Sequence, residues 1–104
     1  MTILPVSVID QISAAMSAKS LEHQAIASNI ANRDTQGYQR LKVQFDRAMG
    51  YGGAHITTDP STAPVSVEED LVALSTNVGR YQALARSLGR YFSIISAITG
   101  PNRG

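Results

Sequence analysis

His23 and His55 are the two side chains in this sequence best suited to acid–base or metal chemistry. A histidine that acts as a base or a ligand needs a positioned partner, and on a helix that partner lies four residues away. The residues at these positions around His23 are Lys19 and Ala27, and neither can serve. His55 stands in a glycine-rich stretch with even less context. We therefore predict an interfacial or solvated role for His23, and no catalytic or metal-binding residue.

The acidic cluster at residues 68–70 is the other candidate for chemistry, because paired carboxylates can act as acid and base. Ser66 lies three residues before Glu69, which is the spacing of a capping box at a helix start. Anionic side chains also favour the first turn because of the helix dipole. We therefore predict a helix cap and no enzyme. The glycines at 50–53 lack the lysine and hydroxyl residue of a phosphate loop, so we predict no cofactor.

Composition argues against several classes of protein. Charged residues are 16% of the chain, below the usual quarter, and hydrophobic residues are 43%. A net charge of +1 with no basic stripe argues against binding to nucleic acid. The absence of cysteine removes disulfides, thiol catalysis and most zinc sites. No basic residue precedes Lys19, so we expect any export to proceed without a cleaved signal peptide.

Residues 66–100 carry the strongest periodic pattern. Apolar residues recur there at alternating spacings of three and four, which keeps one face of a helix against a partner helix. The predicted interface residues are Leu71, Leu74, Val78, Tyr81, Ala85, Leu88, Phe92 and Ile95. Gly100 followed by Pro101 is a stop signal. We predict one helix of roughly 33 residues, about 50 Å long.

A second helix is predicted at residues 8–33. Its predicted interface residues are Ile9, Ile12, Met16, Ile26 and Ile30, and the series is interrupted at Lys19 and His23. A second face of small residues includes Ala18 and Ala25, which would let another backbone approach closely. Because the two helices match in length, the simplest architecture is an antiparallel coiled-coil pair.

The whole chain, 1–104, is predicted to form a single all-α domain. Between the helices we predict a turn and a short extended segment at 34–49, where Leu41 and Val43 alternate with polar residues. A flexible connector rich in glycine, threonine, serine and proline follows at 50–65. Two helices alone cannot bury all the apolar residues of the C-terminal one, so we expect this chain to need partner surface from other molecules.

Residues 27–38 read Ala-Ser-Asn-Ile-Ala-Asn-Arg-Asp-Thr-Gln-Gly-Tyr. Their composition predicts a helix end followed by a tight turn at 34–37, with Gly37 at positive φ. The segment also resembles the signature of flagellar rod and hook proteins, a Ser-Asn-Ile-Ala-Asn followed by Thr-Pro-Gly-Tyr. The matching residues are Ser28, Asn29, Ile30, Ala31, Asn32, Thr35, Gly37 and Tyr38. Gln36 stands where the family usually has proline, and glutamine can occupy that corner of a turn.

This resemblance implies a structural subunit of the bacterial flagellar basal-body rod that takes no small-molecule substrate. The C-terminal helix resembles that of the proximal rod members. The resemblance further implies a place on the periplasmic side of the inner membrane. Its implied partners are other rod subunits and the export gate or inner-membrane ring. Two alternatives stay open: a helical-hairpin adaptor or secretion chaperone, and another member of the rod and hook set.

Overall fold

The structure is a computed structural model that describes residues 4–46 and 53–100. It contains two helices, α1 (Leu4–Ala31) and α2 (Val67–Thr99), and two strands, β1 (Leu41–Phe45) and β2 (Ala54–Thr58). The chain is mostly helical, but the prediction of an all-α fold is wrong because the strands form an antiparallel sheet. The end of the predicted extended segment, the start of the connector and Pro101 lie outside the described residues.

The ends of α2 follow from local chemistry. The Ser66 hydroxyl accepts a hydrogen bond from the Glu69 amide at 3.1 Å, and the Glu69 carboxylate accepts one from the Ser66 amide at 3.0 Å. This reciprocal pair is the predicted capping box, and it satisfies two amides that have no partner within the helix. The helix ends at Thr99, with Gly100 as its C-terminal cap.

Residues 54–58, part of the segment predicted as a flexible connector, form the strand β2 instead. β1 and β2 pair in the register Val43 to Ile56, with Leu41 opposite Thr58 and Phe45 opposite Ala54. The Asp59 amide donates to the Arg40 carbonyl at 2.8 Å, which extends the ladder by one more bond. Residues 56–58 are all β-branched, and such residues favour strands. The glycines and prolines on either side of these residues are typical of a loop, so the strand was not predicted from the sequence.

The two helices lie side by side, and two bonds give their relative direction. Arg40, which follows α1, binds Asp70 in the first turn of α2. Further along α2, Asn77 donates to the carbonyl of Lys19, in the middle of α1. Residue numbers along α2 therefore increase in the direction in which residue numbers along α1 decrease, as in an antiparallel pair of helices. Neither helix has a stretch apolar enough to span a membrane within the described residues.

One copy of the chain is long and thin. Its extents are 63 × 29 × 15 Å, and the smallest is little more than the roughly 10–12 Å diameter of one helix. Among the described residues, the only buried apolar side chains are those of Ala18 and Ala25. Both belong to the small-residue face of α1, where short side chains let α2 approach closely. The layer is one helix thick, so each helix keeps a face that no part of this copy covers.

The most deeply buried row of α2 lies one position before one half of the predicted series (71, 78, 85 and 92), while three of the four residues in the other half (74, 88 and 95) are half-buried. The most deeply buried residues of this row are Asp70 and Asn77, seven positions apart. Leu84 and Tyr91 continue this row and are half-buried. An α-helix has about 3.6 residues per turn, so these positions lie on one side of the helix. The residues one position later in each heptad are turned away from α1.

Asn77 fixes the two helices against each other. Its side chain is 4% exposed, and Nδ2 donates to the Lys19 carbonyl at 2.7 Å. Its Oδ1 atom is buried without a hydrogen-bond partner in the described structure. A buried amide with one unpaired atom costs stability, but a single buried asparagine restricts which helix registers are possible.

Candidate functional site

Asn29, near the end of α1, ties that helix to the start of β1. Its Nδ2 donates to the Leu41 carbonyl at 3.0 Å, and its Oδ1 accepts from the Leu41 amide at 2.8 Å. The side-chain amide thus pairs with a backbone residue as a neighbouring strand would. Asn29 is 3% exposed, so these bonds are shielded from water. We call the cluster of Ser28, Asn29, Asn32, Tyr38 and Leu41 the asparagine joint.

Tyr38 closes the asparagine joint from the other side of the turn. Its hydroxyl donates to Asn29 Oδ1 at 2.9 Å and lies 2.8 Å from Ser28 Oγ. Because the tyrosine proton is directed at Asn29, the serine hydroxyl is the donor in the second bond. Asn29 Oδ1 therefore accepts two hydrogen bonds, one from a backbone amide and one from a phenol.

Asn32 and Thr35 shape the chain between the helix and Tyr38. Asn32 Nδ2 donates to the Ser28 carbonyl at 3.0 Å, and that carbonyl also accepts the Asn32 backbone amide at 3.0 Å, so both ends of this bond lie in the last turn of the helix. The Thr35 hydroxyl donates to Asn32 Oδ1 at 3.2 Å. The Tyr38 amide then donates to the Thr35 carbonyl at 3.1 Å, so the tight turn spans 35–38, one residue later than predicted.

Gly37 is the one described residue with positive φ, at 82°. With Gln36 before it, it forms the central pair of a turn that requires positive φ at its second central position. The predicted conformation of Gly37 is therefore confirmed. A Cβ at Gly37 would meet nothing within 4 Å, so only the backbone conformation disfavours a side chain there.

Replacement of Gly37 by alanine is therefore expected to lower the free energy of unfolding by about 1–2 kcal/mol, the cost of a left-handed conformation. Gly79 is the matched control, because it lies within α2 and its Cβ position is also open. Gly79→Ala should raise stability by about 1 kcal/mol, since alanine favours helix. Urea unfolding at one protein concentration measures both changes, and equal effects of the two substitutions would contradict the assignment of strain to Gly37.

Arg40 and Asp70 form the second tie, between the strand side and α2. The two guanidinium nitrogens donate to the two carboxylate oxygens at 2.9 and 2.7 Å. The Asp70 side chain is 5% exposed and that of Arg40 is 29% exposed. The hydrogen bonds to Asp70 raise the pKa of Arg40 above its ordinary value, against the opposing effect of burial. The guanidinium contribution is therefore complete below the ordinary arginine pKa and is lost only as pH rises through the raised one.

The groups considered for chemistry do not converge. His23 is exposed on α1, and His55 is exposed on β2, where its Nδ1 lies 3.4 Å from the Gly53 carbonyl. Within the acidic cluster, Glu69 caps the helix and Asp70 binds Arg40, while Glu68 is exposed. The described residues contain no group of three or more side chains that could hold a metal.

The predicted interface residues divide into two groups by exposure. The α1 residues Ile9, Ile12, Met16, Ile26 and Ile30 are half-buried. On α2, Leu74, Leu88 and Ile95 are half-buried, whereas Leu71, Val78, Tyr81, Ala85 and Phe92 are exposed in a single copy. Of the signature residues, Asn29 is buried, Ser28, Ile30, Asn32 and Tyr38 are half-buried, and Ala31, Thr35 and Gly37 are exposed.

Sequence reasoning missed Arg40 and the buried role of Asp70. The periodicity was judged from apolar residues alone, so it could not identify a polar residue such as Asp70 as part of the buried row. The seven-residue spacing of Asp70 and Asn77, with Leu84 and Tyr91 continuing it, was the available signal. Its partner Arg40 lies 30 residues away and has no local signature.

A comparison with protein families places these residues in context. The model of the family described as flagella basal body rod protein matches residues 12–39. No curated protein matches the chain. The matched range covers most of α1 and the turn, and thus every residue of the asparagine joint except Leu41. The resemblance read from the signature is thereby confirmed: over residues 12–39 this chain is a match to the flagellar basal body rod protein family.

Proposed function

We propose that this chain is a structural subunit of the bacterial flagellar basal-body rod, of the proximal rod type known as FlgB. In this proposal the two terminal helices pack against those of neighbouring subunits, and the subunits assemble into the tubular drive shaft of flagellum-dependent motility. The family match supports the rod role. The resemblance of α2 to the proximal rod type supports the finer assignment.

The exposed apolar row on α2 is the observation that carries the proposal. Leu71 is 50% exposed and Phe92 is 53% exposed, with Val78 and Ala85 between them at seven-residue steps. Full burial of each large apolar side chain stabilises by roughly 1.5–3 kcal/mol, so a partner helix on this row would stabilise the assembly by several times thermal energy. A seven-residue apolar repeat is the pattern that such a helix recognises.

The two polar ties fit a subunit that must hold its shape under load. The asparagine joint holds the hairpin against the end of α1, and the Arg40–Asp70 pair links the strand side to α2. Neither tie depends on a large apolar core, which a layer one helix thick does not have. We propose that these ties set the subunit geometry while neighbouring subunits cover the helices.

The proposed partners are other rod subunits, and the export gate or inner-membrane ring at the base. The proposed location is the periplasmic side of the inner membrane, reached by flagellar type III export without a cleaved signal. No step of chemistry is assigned to the chain, and no cofactor or small-molecule substrate is proposed.

Isolation of basal bodies tests this proposal. Cells that lack the gene should assemble no complete rod and should not swim, and an epitope-tagged copy should restore swimming and co-purify with the basal body. A matched variant, Leu71→Asp together with Val78→Asp, should fail to restore swimming, because it places charge on the exposed row. Normal swimming without the gene, or a tagged chain absent from basal bodies, would contradict the rod assignment.

A dilution series separates the rod subunit from the adaptor alternative. For a rod subunit we expect sedimentation and helical circular dichroism to change with protein concentration, because the exposed row is covered only in the assembly. A monodisperse dimer that persists at high dilution would instead favour a helical-hairpin adaptor or secretion chaperone.

A further inference from the structure

The charges on the outer face of α2, opposite α1, are separated along the helix: negative charge lies near one end and positive charge in the second half. Its first turn is acidic, and Glu68 there is exposed. After Asp70 the helix has no acidic residue, whereas Arg80, Arg86 and Arg90 are all exposed. Within the described part of the chain none of these three arginines has an ion pair. The helix thus presents unpaired negative charge near one end and unpaired positive charge in its second half.

Each charged region on this face adjoins an exposed apolar side chain at the same spacing. Val72 lies four residues after Glu68 and is 65% exposed, and Ile94 lies four residues after Arg90 and is 52% exposed. Residues four apart are neighbours on one helix face. We call Glu68 with Val72 the acidic patch, and Arg90 with Ile94 the basic patch.

We propose that the acidic patch of one copy docks on the basic patch of a second copy of this chain, with the two α2 helices parallel. A shift of 22 residues places Glu68 beside Arg90 and Val72 beside Ile94 at once. Charge complementarity and the matched order of charge and apolar residue identify the second copy as the occupant. This inference rests on the proposed function and adds to it the contact surface and its direction.

The surface around the basic patch has room for a partner helix. A shallow depression there is lined by Arg86, Gly89, Arg90, Ser93 and Ile94. Gly89 contributes no side chain, and a Cβ at its position would meet nothing within 4 Å. The depression therefore leaves open space over which Val72 of a second copy can pack.

The geometry of the contact makes it open-ended. A shift of 22 residues is about 33 Å along the helix and about six turns plus 40° around it, so both patches face nearly the same way. A second copy must turn about an axis parallel to α2 and slide by that length to bring the patches together. In such a pair the first copy still has a free acidic patch and the second copy a free basic patch. Each free patch can bind a further copy, so this head-to-tail contact extends into a filament.

Cysteine cross-linking tests this contact directly, because the chain has no native cysteine. Val72 and Ile94 are about 33 Å apart within one helix, far beyond the roughly 7 Å between Cα atoms that a disulfide spans. Any disulfide between these positions must therefore join two copies. The measurement mixes Val72→Cys with Ile94→Cys under oxidising conditions, at a protein concentration where the dilution series shows association.

We expect a disulfide-linked dimer from the mixture, and a ladder of higher species from the chain that carries both substitutions. Ala83→Cys is the matched control, since it is exposed on α2 about 16 Å before Ile94 and should not link to Val72→Cys. Association without a 72–94 product, or a control product of equal yield, would overturn this contact and leave the rod assignment standing.

Charge variants supply the second test. Glu68→Arg and Arg90→Glu should each weaken self-association at least fivefold in sedimentation, and the chain with both changes should recover most of the loss. Arg80→Glu makes the same charge change about 80° around the helix and should have little effect. The attraction should also weaken with added salt, because exposed charges are screened over about 10 Å at 0.1 M. No recovery in the double variant would overturn the pairing of Glu68 with Arg90.

Discussion

Replacement of Asn29 by alanine is expected to lower the free energy of unfolding by about 3 kcal/mol. The side chain makes three hydrogen bonds, two to the backbone of Leu41 and one to the Tyr38 hydroxyl. Each contributes roughly 1 kcal/mol net, and a buried partner left without a bond costs more than that. Alanine also leaves the Leu41 amide and carbonyl without the two bonds that the Asn29 side chain makes to them.

Two further variants separate hydrogen bonding from packing at the asparagine joint. Asn29→Asp keeps the acceptor for Leu41 and Tyr38 but turns a carboxylate oxygen toward the Leu41 carbonyl, so it should also destabilise. Tyr38→Phe removes only the phenol bonds and should cost about 1 kcal/mol. Gln24→Ala, at an exposed position of α1, is the control and should change stability by less than about 0.5 kcal/mol.

Urea unfolding of these four variants at one concentration measures the differences. If Asn29→Ala is no more destabilising than Gln24→Ala, the joint contributes no net stability, and its role as the tie between α1 and β1 is wrong. Hydrogen exchange at the Leu41 amide gives an independent reading, since that amide donates to Asn29 and should exchange faster in Asn29→Ala.

Local signals in the sequence predicted the ends of α2 and the conformation of Gly37, whereas α1 begins at Leu4 and ends at Ala31 instead of spanning the predicted 8–33. Ser66 and Glu69 satisfy each other's amides over three residues, so the start of α2 can be read without knowledge of the fold. Gly37 is similar, because positive φ is a property of one residue and its turn. These predictions succeeded because the physical cause and the residues that show it are adjacent in the chain.

The contacts that the sequence did not reveal join distant residues. Asn77 and the Lys19 carbonyl are 58 residues apart. Because every residue has a backbone carbonyl, the sequence does not indicate which one accepts the bond from Asn77. β2 was missed because its partner strand determines it, and a strand of five residues between glycine and proline has little pattern of its own. The asparagine joint was predicted in part. The signature includes Asn29 and Tyr38, but it does not indicate that Asn29 binds the backbone of Leu41.

The sequence also did not reveal which face of α2 packs against α1. An apolar pattern identifies the residues that avoid water but not which of them meet α1 and which meet another molecule. Leu71 and Val78 belong to the predicted seam and remain exposed in one copy, while Asp70 and Asn77 are buried. In a chain that covers its own core the two sets would coincide. Their separation is therefore the structural reason to look for partners along the exposed row.

Replacement of Arg40 by methionine is expected to lower the free energy of unfolding by about 3 kcal/mol. Methionine keeps much of the apolar stem but leaves the Asp70 carboxylate almost fully buried without its two hydrogen bonds. Removing one partner of a buried ion pair typically costs about 3–5 kcal/mol, and the partial exposure of Arg40 moves this case to the lower end.

The reverse substitution distinguishes a buried ion pair from simple loss of contact. Asp70→Ala should cost only about 1–2 kcal/mol, because the guanidinium left behind is partly exposed and can bind water. Adding Asp70→Ala to Arg40→Met should then recover about 1 kcal/mol, since the stranded carboxylate is gone. Urea unfolding of the two single variants and the double variant measures this cycle. Strictly additive losses would mean that the pair does not couple, and that Asp70 is stabilised by its place in the first turn of α2 instead.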